Sequence, residues 1–379
     1  MKLKCNTLVL NEAIMTAGKV AVSGAFSQVT GGVMIEAKDS GVVKLTCNNL
    51  ETSIEYEFTA EVKEKGLCVV PARLFGDIVK NFTAEETTIE VEGKWSEGAV
   101  AKIVCGKGKF DISMLNPEEF PPVPKAIAEN EVSINAETFK GLVKGTAFST
   151  AITDTRAMLT GCLIEMEKDR VRMVGLDGFR MGLRDAKTKE KVKDKMSVVI
   201  PAKSLNEFCK IVGDFDGDIK MGLSDKHATF TVGDMVYKTK RINGEYIDYK
   251  ITMTEPVGET TEFDVDTKEL IRAIERAAVV VVNDQMKKSI KMEIKDGGIK
   301  FTCESVVGKS EEFLAVENMK GAGLVIGFNH RFILDAAKNI PVEKVHVRME
   351  TKLTPCVLTA TEKATDGTDF FYTIFPVRT

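Results

Sequence analysis

VVPARLFGDIVKNF, residues 69–82, decides the fold, because the chain repeats its chemistry twice more in altered wording. VIPAKSLNEFCKIV (199–212) and IGFNHRFILDAAKNI (326–340) keep the same residue types at fixed offsets. Counting from Pro71, Pro201 and Asn329, the fourth residue on is apolar (Phe75, Leu205, Ile333), the sixth acidic (Asp77, Glu207, Asp335) and the ninth lysine (Lys80, Lys210, Lys338). Pro or Asn suits a helix entrance, where an N–H is missing or capped, and the apolar positions form one buried stripe.

A second signature recurs in the same register. Leu3, Cys5 and Thr7 alternate, then Leu10, Ala13 and Ile14 take helical spacing. Val132, Ile134, Ala136, Phe139, Leu142 and Val143 repeat the switch, as do Phe263, Val265, Thr267, Leu270, Ala273 and Ile274. Each reads as a strand running into an amphipathic helix. Between the helices lie alternating segments such as GVVKLTCNNLETSIEYEF (41–58) and DIKMGLSDKHATFTVGDMVYKTK (218–240), broken by Gly, Asn and Asp, which predict antiparallel hairpins. The expected class is α+β: three tandem repeats, each with two helices and roughly eight strands. Linkers are expected where the pattern lapses, at PEEFPPVPKAIAEN (117–130) and NGEYIDYKITMTEPVGE (243–259), giving domains 1–125, 126–255 and 256–379.

Composition narrows the function. With 379 residues, 44% of them hydrophobic, the chain can fill a large core, and its longest apolar run, AAVVVV (277–282), is too short to span a bilayer. The first residues lose any signal-like apolar stretch at Asn11 and Glu12, so a cytoplasmic location is expected. Eight scattered cysteines with no CxxC pair predict reduced core thiols. His227, His330 and His346 lack metal-ligand spacing, and no metal or cofactor is expected. GKGKF (106–110) lacks the spacing of a phosphate loop and reads as a hairpin turn, and GDFDGD (213–218) as a turn after a helix. No nucleophile elbow or catalytic constellation is present in the spacing, so catalysis is not expected.

Charge is distributed unevenly. Helices expected at 10–22, 71–82, 136–150, 201–212, 267–282 and 329–340 carry a net +5, which leaves −9 for the rest of a chain whose total is −4. Equivalent helices in tandem repeats point the same way, so Lys80, Lys210 and Lys338 are expected on one surface, the footprint of sequence-blind phosphate contact.

Over its whole length the chain resembles the bacterial DNA sliding-clamp family, the beta subunits of the replicative DNA polymerase. The resemblance rests on the three repeats, the VPAR and IPAK helix entrances, NGEYIDY near the second boundary, IGFN opening the last helix and the terminal IFPVRT. It implies the DNA-clamp fold in a head-to-tail homodimer, six domains closing into a ring with helices facing duplex DNA and sheets outside. DNA-facing cations would be Arg73, Lys80, Lys140, Lys144, Lys203, Lys210, Arg272, Arg276, Arg331 and Lys338. Partners would be double-stranded DNA without sequence preference, a second copy, and the replicative polymerase, clamp loader and repair proteins, which present short hydrophobic motifs.

The resemblance also assigns LDGFRMG (176–182) a purpose. The first repeat has NNLET (48–52) and the third ESVVG (304–308) at this hairpin tip, so the LDGFR turn is peculiar to the second. In the family this stretch is one wall of a peptide-binding pocket, here Leu159, Leu176, Gly178, Phe179, Arg180 and Met181, with Ile247 and Thr252 from the linker and Thr373, Phe375, Pro376, Val377 and Arg378 from the chain's end. Phe179 replaces the family's usual His, Ile247 its Pro and Ile251 a commonly basic residue, which implies a more apolar pocket. VSGAFSQ (22–28) lacks an arginine common near DNA, and Ala157 and Met158 stand where aromatics are common. Phe110, Ile112, Val279 and Val280 match dimer-interface positions. The rival reading is a β-rich monomeric scaffold or ligand-binding protein whose helices merely cover its sheets.

Overall fold

The computed structural model describes residues 1–21, 28–123, 130–253, 258–281 and 289–378. Residues 22–27 of VSGAFSQ and parts of both expected linkers lie outside the described residues. The first repeat runs β1 (Lys2–Asn6), α1 (Thr7–Ala17), β2 (Gly32–Ala37), β3 (Val42–Asn48), β4 (Thr52–Thr59), β5 (Glu61–Glu64), β6 (Gly66–Pro71), α2 (Ala72–Lys80), β7 (Glu86–Val91), β8 (Val100–Cys105) and β9 (Gly108–Ser113). The second runs β10 (Asn130–Asn135), α3 (Ala136–Ala147), β11 (Gly161–Glu167), β12 (Arg170–Leu176), β13 (Arg180–Lys187), β14 (Met196–Pro201), α4 (Ala202–Val212), β15 (Asp218–Leu223), β16 (His227–Val232) and β17 (Met235–Lys240). The third runs β18 (Thr261–Asp266), α5 (Thr267–Ala278), β19 (Ser289–Lys295), β20 (Gly298–Ser305), β21 (Gly308–Ala315), β22 (Glu317–Lys320), β23 (Leu324–Asn329), α6 (His330–Lys338), β24 (Lys344–Met349), β25 (Cys356–Ala360) and β26 (Thr368–Ile374).

The class is α+β, with six described α-helices on antiparallel sheets in three copies of one element order, the second without a counterpart of the short strands β5 and β22. Helix ends differ from the expectation. The first was expected at 10–22 but spans Thr7–Ala17, because the Asn6 side chain accepts from the N–H groups of Leu8 and Val9 and starts it early. Those expected to end at 150 and 282 stop at Ala147 and Ala278. The side chain of Asn329 caps α6 by accepting from Arg331 N, while Pro71 opens α2 without a side-chain bond.

The described chain forms two compact bodies. One holds residues 1–131, 210–214 and 218–241. It contains the five-stranded sheet β5-β1-β7-β8-β9 and the strand run β15-β16-β17-β4-β3-β2-β6. The β4–β17 ladder, Tyr56 opposite Met235 through Thr52 opposite Thr239, draws part of the second repeat into this body. α1 packs on α2, with Ile14 over Gly76, above a core that includes Leu3, Leu10, Phe75, Val79 and Ile103.

The other body holds residues 132–209, 215–217 and 242–379. Its nine-stranded sheet, β14-β11-β12-β13-β26-β25-β24-β18-β22, joins the second and third repeats through the β13–β26 ladder, and β21-β20-β19-β23 form a four-stranded sheet. Phe263, Leu270, Phe301, Phe328 and Ile333 centre its largest core cluster.

The short motifs fold as turns. GKGKF turns between β8 and β9 with Gly106 at φ 56°, and GDFDGD leads from α4 into β15. Seven cysteines are buried, Cys209 is half-buried and all eight are free thiols. Burial pushes Cys47, Cys68, Cys162 and Cys356 up to about 12, so they stay protonated. Among the described residues no helix is long and apolar enough to cross a membrane.

Candidate binding cleft, helical surfaces and strand edges

The LDGFR tip is fixed by its own aspartate. Asp177 Oδ1 accepts from Phe179 N at 2.9 Å and Arg180 N at 3.0 Å, and Gly178 takes φ 88°, a conformation a Cβ opposes. Phe375 N donates to Phe179 O at 2.8 Å, extending the β13–β26 ladder past Ile374, and Val377 N donates to Gly327 O at 2.8 Å. The chain's end is thereby fastened to the turn. From the linker, Thr252 Oγ1 lies 3.3 Å from Met181 Sδ and donates to Tyr249 O at 2.7 Å.

These bonds bring together turn, linker and tail at different depths. Leu159, Leu176 and Met181 belong to a buried cluster with Tyr249 and Leu183, and Thr373 is buried in β26. They form a floor beneath the exposed residues of the turn and linker. Phe179 is 60% exposed and Ile247 and Ile251 also face outward, whereas Phe375, Pro376 and Val377 are half-buried and Arg378 is exposed.

Arg180 is a tether. Its guanidinium contacts Asp177 at 3.1 Å and Asp335 of α6 at 2.7 Å, and lies 4.5 Å from the Phe332 ring centre, on which Phe179 also stacks at 6.0 Å. The sequence reading missed Phe332, Asp335 and Tyr249. NGEYIDY carried the signal for Tyr249. Its hydroxyl meets Glu165 at 2.5 Å and Arg172 at 3.4 Å, and burial chiefly pushes its pKa up to about 12.

All the helical cations but Lys140 fall into two groups. Arg272 pairs with Glu269 at 2.8 Å, Arg276 with Glu312 of β21 at 3.0 Å, Lys338 of α6 with Glu275 of α5 at 2.7 Å, and Lys203 approaches Glu207 at 4.0 Å. Lys140 is half-buried beside Cys209. Arg73, Lys80, Lys144, Lys210 and Arg331 are exposed, and no ion pair engages them among the described residues.

At the edge of its sheet, β9 shows Phe110 at 39% exposure, its ring 5.6 Å from Phe82. Ile112 is 2% exposed, so its side chain serves the core. Val279, 72% exposed, and Val280, half-buried, lie just beyond α5, where Ser305 Oγ and Ser310 Oγ donate to the carbonyls of Val280 and Ala277. Edge strand β21 displays Phe313 at 66% exposure, with Val306 and Val307 of the ESVVG tip at its turn; the sequence did not single out Phe313.

Residues 1–124, 133–248 and 255–378 match family models of the N-terminal, central and C-terminal domains of the DNA polymerase III beta subunit. The beta sliding clamp of Bacillus subtilis is 27% identical over 380 residues, spanning 98% of this chain and 97% of that protein. That of Halalkalibacterium halodurans is 28% identical over 360 residues, 92% of each. Among solved structures, a DNA polymerase III beta subunit from Eubacterium rectale, described as putative, superposes with TM-score 0.91 at 28% identity over all of both chains. The Bacillus subtilis DNA polymerase sliding clamp gives 0.92 at 26%, over 100% of this chain and 99% of that one.

Proposed function

The chain belongs to the family of DNA polymerase III beta subunits, the bacterial sliding clamps, and from that premise we propose how its own residues do the work of a processivity factor. It is a non-catalytic tether. Two copies associate head to tail, six repeats encircle duplex DNA, and enclosure replaces tight binding.

The observation that carries this reading is the use of strand edges. β4 pairs with β17 and β13 with β26, and the repeats make these the same join used twice. By element order, β21 is the third counterpart of β4 and β13, and β9 of β17 and β26; each ends its sheet. An exposed edge lined by Phe110 or Phe313 is an aggregation hazard unless covered. Pairing β21 of one copy with β9 of the other covers both edges and closes under a two-fold axis.

The exposed cations Arg73, Lys80, Lys144, Lys210 and Arg331 supply phosphate contacts that ignore sequence. The paired cations of the third repeat contribute less, because each already has a carboxylate. Phe179, Ile247, Thr252, Phe375, Pro376 and Val377, over the floor of Leu159, Leu176, Met181 and Thr373, receive short apolar motifs of polymerase, loader and repair proteins. Arg180 holds the turn beneath them.

Solution mass and retention on DNA test the reading together. The expected result is a dimer that stays on circular DNA and runs off the same DNA once linearised. A monomer, or equal retention on both forms, refutes the ring. Phe375→Asp is expected to weaken binding of an apolar polymerase motif at least tenfold with dimer mass unchanged; undiminished affinity refutes the cleft.

A further inference from the structure

The scaffold of the LDGFR cleft exists a second time. At the first-repeat tip, Asn49 Oδ1 accepts from Glu51 N at 3.0 Å and Thr52 N at 2.8 Å, as Asp177 does for Phe179 and Arg180. Lys240 N donates to Glu51 O at 2.9 Å, as Phe375 N donates to Phe179 O at 2.8 Å. Ser53 lies opposite Lys238, as Met181 lies opposite Thr373. Pro121 and Pro122 stand in for the linker, their carbonyls held by Asn48 Nδ2 at 3.2 Å and 3.3 Å.

The lining has changed character. This cleft, of about 190 Å³, is bordered by Leu50, the two prolines, His227, Lys238 and Lys240, with Glu51 as its carboxylate. Lys238 is matched by Glu55, while Lys240 has no such partner among the described residues.

Two features serve no evident structural need. Leu50 takes φ 78° where its counterpart is Gly178 at 88°, a conformation side chains resist, and it holds its leucine 56% exposed at the cleft's lip. His227 lines the cleft with its Nε2 buried and unpartnered. Burial, then Lys240, Lys226 and Lys238, lower its pKa and keep the ring neutral in positive surroundings.

We propose that this cleft is a second docking site, for an acidic peptide segment of a partner protein. An apolar side chain rests against Leu50 and the prolines, and the carboxylates that follow reach Lys240 beside the His227 ring. The inference rests on the preceding reading only for the class of occupant, a peptide.

With three histidines in the chain, ring NMR resolves the site directly. Acetyl-Leu-Asp-Asp-Asp-amide, titrated into the full-length protein, is expected to shift the His227 resonance saturably and leave His330 and His346 unmoved. Lys240→Glu is expected to raise Kd at least tenfold. Leu50→Gly is expected to raise Kd several-fold without lowering Tm, because glycine relaxes the turn. An unmoved His227, an equal response to acetyl-Leu-Asn-Asn-Asn-amide, unchanged affinity in Lys240→Glu, or saturation by inorganic phosphate alone would each overturn the proposal, the last by showing an anion site only. Phe375→Asp reports on the LDGFR cleft and leaves the His227 titration unchanged, so failure of one site is distinguishable from failure of the other.

Discussion

Arg184 is 2% exposed and answers four atoms at once. It pairs with Asp366 at 3.1 Å and donates to Thr368 Oγ1, Tyr372 Oη and Asn339 O at 2.5, 2.8 and 2.6 Å, its guanidinium 5.5 Å from the rings of Phe370 and Tyr372. Gly145 makes room for it, since a Cβ there would stand 2.1 Å from Arg184 Nε. Arg184→Leu strands Asp366 in a partly dry site and is expected to cost about 3–5 kcal/mol in urea unfolding, the range for breaking a buried ion pair. None of this was legible in the sequence. The alternation of RMGLRDAK marks a strand, but its partners lie 155 to 188 positions away, and GLVKGTA reads as a weak helix rather than as clearance for an arginine. The LDGFR turn was legible because Asp-Gly chemistry is local; the use of Arg180 as a tether was not, because Asp335 lies 155 residues on.

Among elements, the β4–β17 join has an electrostatic pin. Glu55 of β4 accepts from Lys44 of β3 at 3.1 Å and from Lys238 of β17. Burial works to raise its pKa, but the bonds and charges of Lys238 and Lys44 outweigh it, so the net shift is downward. A carboxyl depressed in the folded state stabilises above its unfolded pKa, about 4.3, and loses that contribution as pH falls through the folded value. Glu55→Gln is therefore expected to cost on the order of 2 kcal/mol at pH 7. The gap between the two proteins should narrow below about pH 4, where wild type also loses the charge. A gap that is constant with pH would show that packing, not charge, holds the position. Helices and hairpins were readable because periodicity is written in each segment, whereas helix ends were misplaced where a cap such as Asn6 outweighed the apolar pattern. Strand order across repeats was not readable at all: nothing local in GDMVYKTK says that its neighbour is TSIEYEFT.

For the whole molecule, the division of cations into paired and unpaired predicts which of them hold DNA. Reversing Lys80, Lys144, Lys210 and Arg331 to Glu is expected to flatten the dependence of log K on log salt by up to about 0.9 per lost phosphate contact. Reversing Arg272, Arg276 and Lys338 should flatten it less, since their carboxylates already neutralise them. Equal slopes in the two variants would remove the distinction. The total of −4 hid the cationic excess of the helices, which showed once charge was assigned element by element, whereas the pairing of individual cations showed only in the structure.

One consequence of the β13–β26 and β4–β17 ladders concerns failure rather than assembly. Both run alongside a continuous main chain, so a ladder that frays is held at high local concentration and zips again at once. The third ladder we propose, between β21 and β9 of separate copies, would have no such leash. Dilution erodes that one alone, and whatever machine threads DNA through need prise apart only a single latch while every other seam stays shut.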